Sequence, residues 1–130
     1  MAKVPSRSAG ISHSMARRLV KDSIRPNDTR DRFFRRMILS IPKGKVATYG
    51  QVAAASGYPL HHRAVARLLR TSPPDSVPWH RVVGAGGEIK LRFEAGSEQL
   101  LRLRMEGVSF RGRRVDLVKH QHLFRTWELE

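Results

Sequence analysis

Cysteine is absent from the 130 residues of this chain. That excludes disulfides, thiolate metal sites and a cysteine nucleophile. Acid is scarce: 11 Asp and Glu stand against 25 Lys and Arg, for a formal net charge of +14. No stretch approaches the roughly 18 apolar residues that a membrane-spanning helix needs. What is there fits one domain with a real but modest core, since 40% of residues are hydrophobic. So much positive charge repels itself and calls for a polyanionic partner, with nucleic acid the leading reading. An anionic membrane would need a basic helix with a strong apolar face, and no membrane partner is expected.

The pattern along the chain changes near Thr29. Residues 1–28 hold six basic residues against Asp22 and Asp28, with Ser, Gly and Pro and no strong apolar period. They read as a basic, flexible N-terminal arm with Ser14 to Ile24 able to turn helical on contact; a transit peptide fits the same letters. Residues 29–130 read as the folded domain. Phe33, Met37 and Ile41, joined by Phe34 and Ile38, repeat at helical spacing up to Pro42. Thr48 with Gln51 three residues on predicts a capping box and a short helix stopping at Gly57. A second short helix is predicted from about His61 to Arg70. Val65, Leu68 and Leu69 form its apolar side, and Arg63, Arg67 and Arg70 share one stripe. Two short helices around a tight turn make a helix-turn-helix. Ile89, Leu91 and Phe93 alternate with Glu88, Lys90 and Arg92, which predicts a strand with one buried face after the Gly84 to Gly87 turn. A further helix is expected from Ser97 through Leu100, Leu101 and Met105 to Gly107. A short strand pair is expected within Val108 to Val118, and His120 to Trp127 is expected to pack back on the body. The fold class is α+β, a small winged helix-turn-helix.

Several motifs then agree in order and spacing. They are Ile41 to Ala53 (IPKGKVATYGQVA), Arg63-Ala64-Val65-Ala66, Pro78-Trp79-His80-Arg81-Val82-Val83 and Met105-Glu106-Gly107. Over roughly residues 30 to 118 the chain resembles the DNA-binding domain of the O6-alkylguanine-DNA alkyltransferases, whose signature Pro-Cys-His-Arg-Val carries the alkyl-accepting cysteine. Trp79 stands in its place. That substitution is similar to the alkyltransferase-like proteins, the non-catalytic branch of the family.

The resemblance implies the following roles. Tyr49 rotates the backbone and Arg63 fills the space of the flipped nucleotide, because a modified guanine cannot be inspected inside a stacked duplex. By residue type alone, Tyr49 also reads as a helix-start aromatic on the core and Arg63 as a phosphate contact. The lesion pocket comprises Trp79, Arg92, Tyr49, Val82 and Val83. Arg92 occupies a position where the transferases usually carry tyrosine, and a cation there tests the electrostatics of the base. Thr48, Gln51, Ala64, Ala66, Arg67, Arg70 and Ser72 contact DNA, with the recognition helix in the minor groove. His80, Arg81 and Glu106 form a structural network around the pocket, since no thiol remains for them to activate. Ala66 departs from the family glycine, and Ser72-Pro73 from its hinge asparagine.

The expected function is that of a monomeric, non-enzymatic sensor. It would flip O6-alkylguanine in duplex DNA and mark it for nucleotide excision repair proteins. It would need no cofactor, and would lie in the bacterial cytoplasm with the nucleoid or in a eukaryotic nucleus. One alternative is a winged-helix transcriptional regulator that binds undamaged DNA. Another is an enzyme using His80 as nucleophile, which the weak nucleophilicity of imidazole beside a thiolate disfavours. His61-His62 and His120-x-His122 lack the cysteines and carboxylates that would make a metal site.

Overall fold

A computed structural model describes residues 27–125, so the arm and Trp127 lie outside the described residues. Helix α1 spans Asp28–Leu39, with Asp28 and Asp31 in its first turn and Arg36 in its last, charges that suit the helix dipole. Its inner face, Phe34, Met37 and Ile38, is buried together with Ile41. The chain then forms β1 (Ala47–Thr48) and α2 (Tyr49–Ala55). The capping box is complete: the Gln51 amide donates to Thr48 Oγ1 at 3.0 Å, and the Thr48 amide donates to Gln51 Oε1 at 2.9 Å. Helix α3 spans His62–Thr71. It buries Val65 and Leu68 against α1 and α2, half-buries Leu69 and leaves Arg63, Arg67 and Arg70 exposed.

Beyond α3 the chain passes through an extended Ser72, Pro73 and Pro74 to a 3-10 turn, Trp79–Arg81, and then β2 (Val82–Val83). β2 pairs in parallel with β1, Ala47 opposite Val82 and Thr48 opposite Val83. This short ladder divides the interior. Ala47 and Val82 belong to the core that α1, α2 and α3 share. Val46 and Val83 face the other way, toward Ile89, Leu103, Val108 and Val115. The alternation of side chains along an extended chain is what lets adjacent residues serve two cores.

The expected strand at Glu88 to Phe93 does not form. Glu88 makes an antiparallel bridge to Arg114, and among the described residues no partner continues it. Ile89 is buried and Leu91 half-buried, but Phe93 is 88% exposed, takes φ +56° and opens helix α4 (Phe93–Met105). α4 therefore begins four residues earlier than Ser97. It buries Gly96, Gln99 and Leu103, while Leu101 and Met105 face solvent. Gly96 is needed here: a Cβ would collide with the Leu91 carbonyl oxygen, where the chain folds back on the helix. β3 (Phe110–Arg111) and β4 (Arg114–Val115) form the expected antiparallel pair. Gly87, at φ +85°, lies so close that a Cβ would strike the Val115 carbonyl.

A last turn, α5 (Leu117–His120), precedes a segment that returns to the body. The His122 amide donates to the Val46 carbonyl at 2.8 Å, the Val46 amide donates to the His120 carbonyl at 2.8 Å, and Phe124 packs on the first core. The His120 ring is tied at both ends. Nδ1 donates to the Gly44 carbonyl at 3.0 Å, which leaves Nε2 to accept from the Ser109 amide at 3.0 Å.

Candidate nucleic-acid interface

α3, the stretch that follows it and the start of α4 enclose a cavity of about 720 Å³. Arg63, Ala66, Leu69 and Arg70 line it from α3. Ser72, Pro73, Pro74, Asp75 and Val77 line it from the connecting stretch, Trp79 from the 3-10 turn, and Tyr49 from the start of α2. Lys90 and Leu91, before α4, and Ala95, Glu98 and Arg102, on it, complete the lining. Six residues expected to act on DNA thus share one space: Tyr49, Arg63, Ala66, Arg70, Ser72 and Trp79.

Tyr49 is the first residue after the N-cap Thr48, inside the capping box, so its backbone direction is fixed by two hydrogen bonds. Burial raises its phenol above the ordinary tyrosine value, which keeps the hydroxyl neutral. A neutral donor can approach a phosphate strand without charge repulsion. Ser72 ends α3: its hydroxyl donates to the Leu68 carbonyl at 2.6 Å and its amide to the same oxygen at 2.9 Å.

Trp79 is held on two sides. The edge of its ring meets His80 at 6.1 Å between centroids, and the Arg102 guanidinium lies over its face at 5.2 Å. Arg102 also donates to Asp75 Oδ1 at 2.8 Å and to Glu98 Oε2 at 2.6 and 2.9 Å. A hydrogen bond from Arg102, its charge, and a hydrogen bond from the Trp79 side chain together hold the Asp75 carboxyl below its ordinary range. Asp75 itself sits at φ +61°, a conformation Asp tolerates better than most residues. The sequence reading missed Arg102 and Asp75. Glu98 and Arg102 at i, i+4 on a helix face were a readable signal; the link to Asp75, 27 residues away, was not.

Behind Trp79 stands a charged network. His80 Nε2 donates to Glu106 Oε2 at 2.8 Å; Arg81 contacts both Glu106 oxygens, at 3.0 and 2.7 Å, and donates to the Ile41 carbonyl at 2.9 Å. Burial alone would raise the Glu106 carboxyl, but the hydrogen bonds and charges of Arg81 and His80 outweigh it and hold the group at about 2. His80 Nδ1 is buried and finds no partner among the described residues. Gln99 adds a second tie, donating to the carbonyls of His80 and Val82 at 3.1 and 2.9 Å.

Other expected site residues lie elsewhere. Val82 and Val83 are fully buried in the two cores and do not line the cavity; parallel pairing with β1 turns both inward, which corrects their assignment to the pocket. Arg92 is exposed at the N-cap of α4, one residue past the cavity-lining Leu91 but outside the lining itself. Arg67 is exposed on the outer stripe of α3. Ala64 is half-buried against the first core. One polar oxygen each of Thr48 and Gln51 is engaged in the cap.

Fold and cavity define a class: a small α+β helix-turn-helix domain whose second helix forms one wall of a pocket. A family model described as the DNA-binding domain of 6-O-methylguanine DNA methyltransferase matches residues 31–108, and the chain belongs to that family. A DNA base-flipping protein of Vibrio parahaemolyticus is 41% identical over 73 residues, covering 55% of this chain and 73% of that protein. Alkyltransferase-like protein 1 of Schizosaccharomyces pombe is 39% identical over 70 residues, covering 53% of this chain and 65% of that protein. Among solved structures, S. pombe Atl1 in complex with damaged DNA containing O6-carboxymethylguanine superposes with a TM-score of 0.65 at 30% identity, over 75% of this chain and 97% of that one.

Proposed function

We propose that the protein is a non-enzymatic DNA-damage sensor. It binds duplex DNA through α3, rotates O6-alkylguanine into the cavity beside Trp79 and holds it there without removing the alkyl group. One observation carries this reading. In a chain with no cysteine, a tryptophan stands at the family's acceptor position, and it forms a wall of the same cavity that Tyr49 and Arg63 enter.

The parts have distinct tasks. Tyr49, rigid and neutral, presses on the backbone of the nucleotide to be moved. Arg63 takes the vacated space, where a planar guanidinium stacks and donates several hydrogen bonds at once. The indole gives an apolar, stacking surface to base and alkyl group, and it cannot accept alkylation as a thiolate does. Arg92 meets the base edge from the cavity mouth. Alkylation at O6 removes the N1 proton of guanine and changes the donor-acceptor pattern a cation senses. His80, Arg81 and Glu106 brace the wall. The held, distorted site then serves as the signal for nucleotide excision repair proteins.

The test is a titration, at fixed salt, of duplexes carrying guanine or O6-methylguanine at one position, followed by recovery of the DNA. Selective, tight binding of the alkylated duplex with its methyl group retained is the expected result. Equal affinity for the two duplexes would refute the reading and favour a transcriptional regulator; loss of the methyl group would mean an enzyme. Arg92→Ala is expected to lower discrimination more than affinity, and Arg67→Ala the reverse.

A further inference from the structure

The β3–β4 hairpin carries a cluster of charge that the pocket does not use. Its sequence, Phe110 to Val115, places Arg111, Arg113 and Arg114 around the turn at Gly112. The Arg111 side chain is 82% exposed, and its one ion pair among the described residues, to Asp116, is long at 3.6 Å. Arg113 is exposed and makes no hydrogen bond or ion pair with the described residues. Arg114 is turned back toward the body, reaching the Ala85 carbonyl at 3.3 Å and Glu88 at 3.7 Å.

The position of this cluster matters more than its charge. The Arg113 guanidinium comes within 3.8 Å of the point where a Cβ on Gly96 would stand, and Gly96 packs on the Leu91 carbonyl. Leu91, one partner in that contact, and Ala95, the neighbour of Gly96, both line the cavity. The hairpin tip therefore adjoins the cavity wall formed by Leu91 and α4, a different wall from the one that carries Arg63 and Arg70. It is also firmly mounted: Arg114 bridges Glu88, Gly87 packs directly on Val115, and the Asp116 amide donates to the Ser109 carbonyl at 3.0 Å.

We infer that the β3–β4 hairpin is a second DNA-backbone clamp, in which Arg111 and Arg113 bind phosphates beside a different wall of the cavity from that of α3. The inference rests on the reading of the cavity as a nucleotide site. Two basic banks then grip the strand on both sides of the nucleotide that leaves the stack. Gripping only one side would let the backbone follow the nucleotide as it rotates. Gripping both gives the rotation something to act against.

The measurement is fluorescence anisotropy of a labelled duplex, with guanine or O6-methylguanine at one position, over a series of salt concentrations. It compares the full chain with an Arg111→Ala, Arg113→Ala double variant. A control double variant, Arg32→Ala, Arg35→Ala, removes the same charge from the exposed face of α1, which contributes nothing to the cavity. If each hairpin arginine holds one phosphate, the slope of log affinity against log salt falls by about 1.8 in the hairpin variant. Both duplexes weaken by the same factor, and the slope of the control stays close to the parent's. An unchanged slope in the hairpin variant, or an equal fall in the control, overturns the clamp. Lesion selectivity of the parent chain is read from the same curves. Its absence would count against the proposed function while a reduced hairpin slope would still stand.

Discussion

Removing the charge of Glu106 tests how the pocket wall is held. Its carboxylate receives hydrogen bonds from His80 and Arg81, and all three side chains are at most 14% exposed. Glu106→Gln keeps the shape and leaves the Arg81 guanidinium without its counter-ion. The shift of the carboxyl from 4.5 to about 2 corresponds to about 3 kcal/mol of stability at most. Removing one partner of a buried pair commonly costs about 3–5 kcal/mol, so a loss of about 3 kcal/mol at neutral pH is expected. The sign with pH follows from the direction of the shift. A carboxyl with a depressed value in the folded state stabilises fully above about 4.5, and that contribution is lost as pH falls toward 2. Urea unfolding of parent and variant between pH 7 and pH 2 should therefore show a gap that is widest near neutrality and closes in acid. A gap below about 1 kcal/mol at pH 7, or one of constant size across the range, would refute the account of the network. Where both proteins are folded, lesion discrimination should be unchanged, because the network braces the wall without touching the base.

Two further outcomes are expected. Arg102→Met removes the cation over the indole while retaining bulk, so Trp79 emission, read in a Trp127→Phe background, should change, with about 0.5–1 kcal/mol of stability lost; unchanged emission would mean the stacking is not populated. Phe93→Asn relieves a left-handed conformation that costs a phenylalanine about 1–2 kcal/mol and that Asn adopts readily, so thermal unfolding should shift upward; a downward shift would show that the ring contributes more than its exposure indicates.

Features written in short-range code were legible from the letters. The α1 face from Phe34 to Ile41 needs only helical spacing, and Thr48 with Gln51 needs only a three-residue offset. The clustering of Tyr49, Arg63 and Trp79 is implied by the family resemblance that the ordered motifs carry. The misread segment, 88–93, shows the limit. Ile89, Leu91 and Phe93 alternate as a strand would, but a strand needs a neighbour, and β4 supplies pairing only at Glu88. The chain instead enters α4 early, and the close packing of Gly96 on Leu91 fixes where. The motif places Val82 and Val83 in the pocket, because nothing local shows that pairing with β1 buries them and divides them between two cores. Arg102 and Asp75 meet only through tertiary structure.

The stretch between α3 and the 3-10 turn holds Pro73, Pro74 and Pro78 within seven residues. Each proline fixes φ and lacks an N–H, so this stretch has few conformations even in the unfolded chain. It is tied as well, at its start by Ser72 to Leu68 and at its middle by Asp75 to Arg102. Little conformational entropy is left to lose when a nucleotide enters beside it. A stiff wall converts more of its contact energy into residence time than a loop that must order itself around each guest. For the proposed sensor, whose output would be a held complex, dissociation rate is the quantity on which these prolines act.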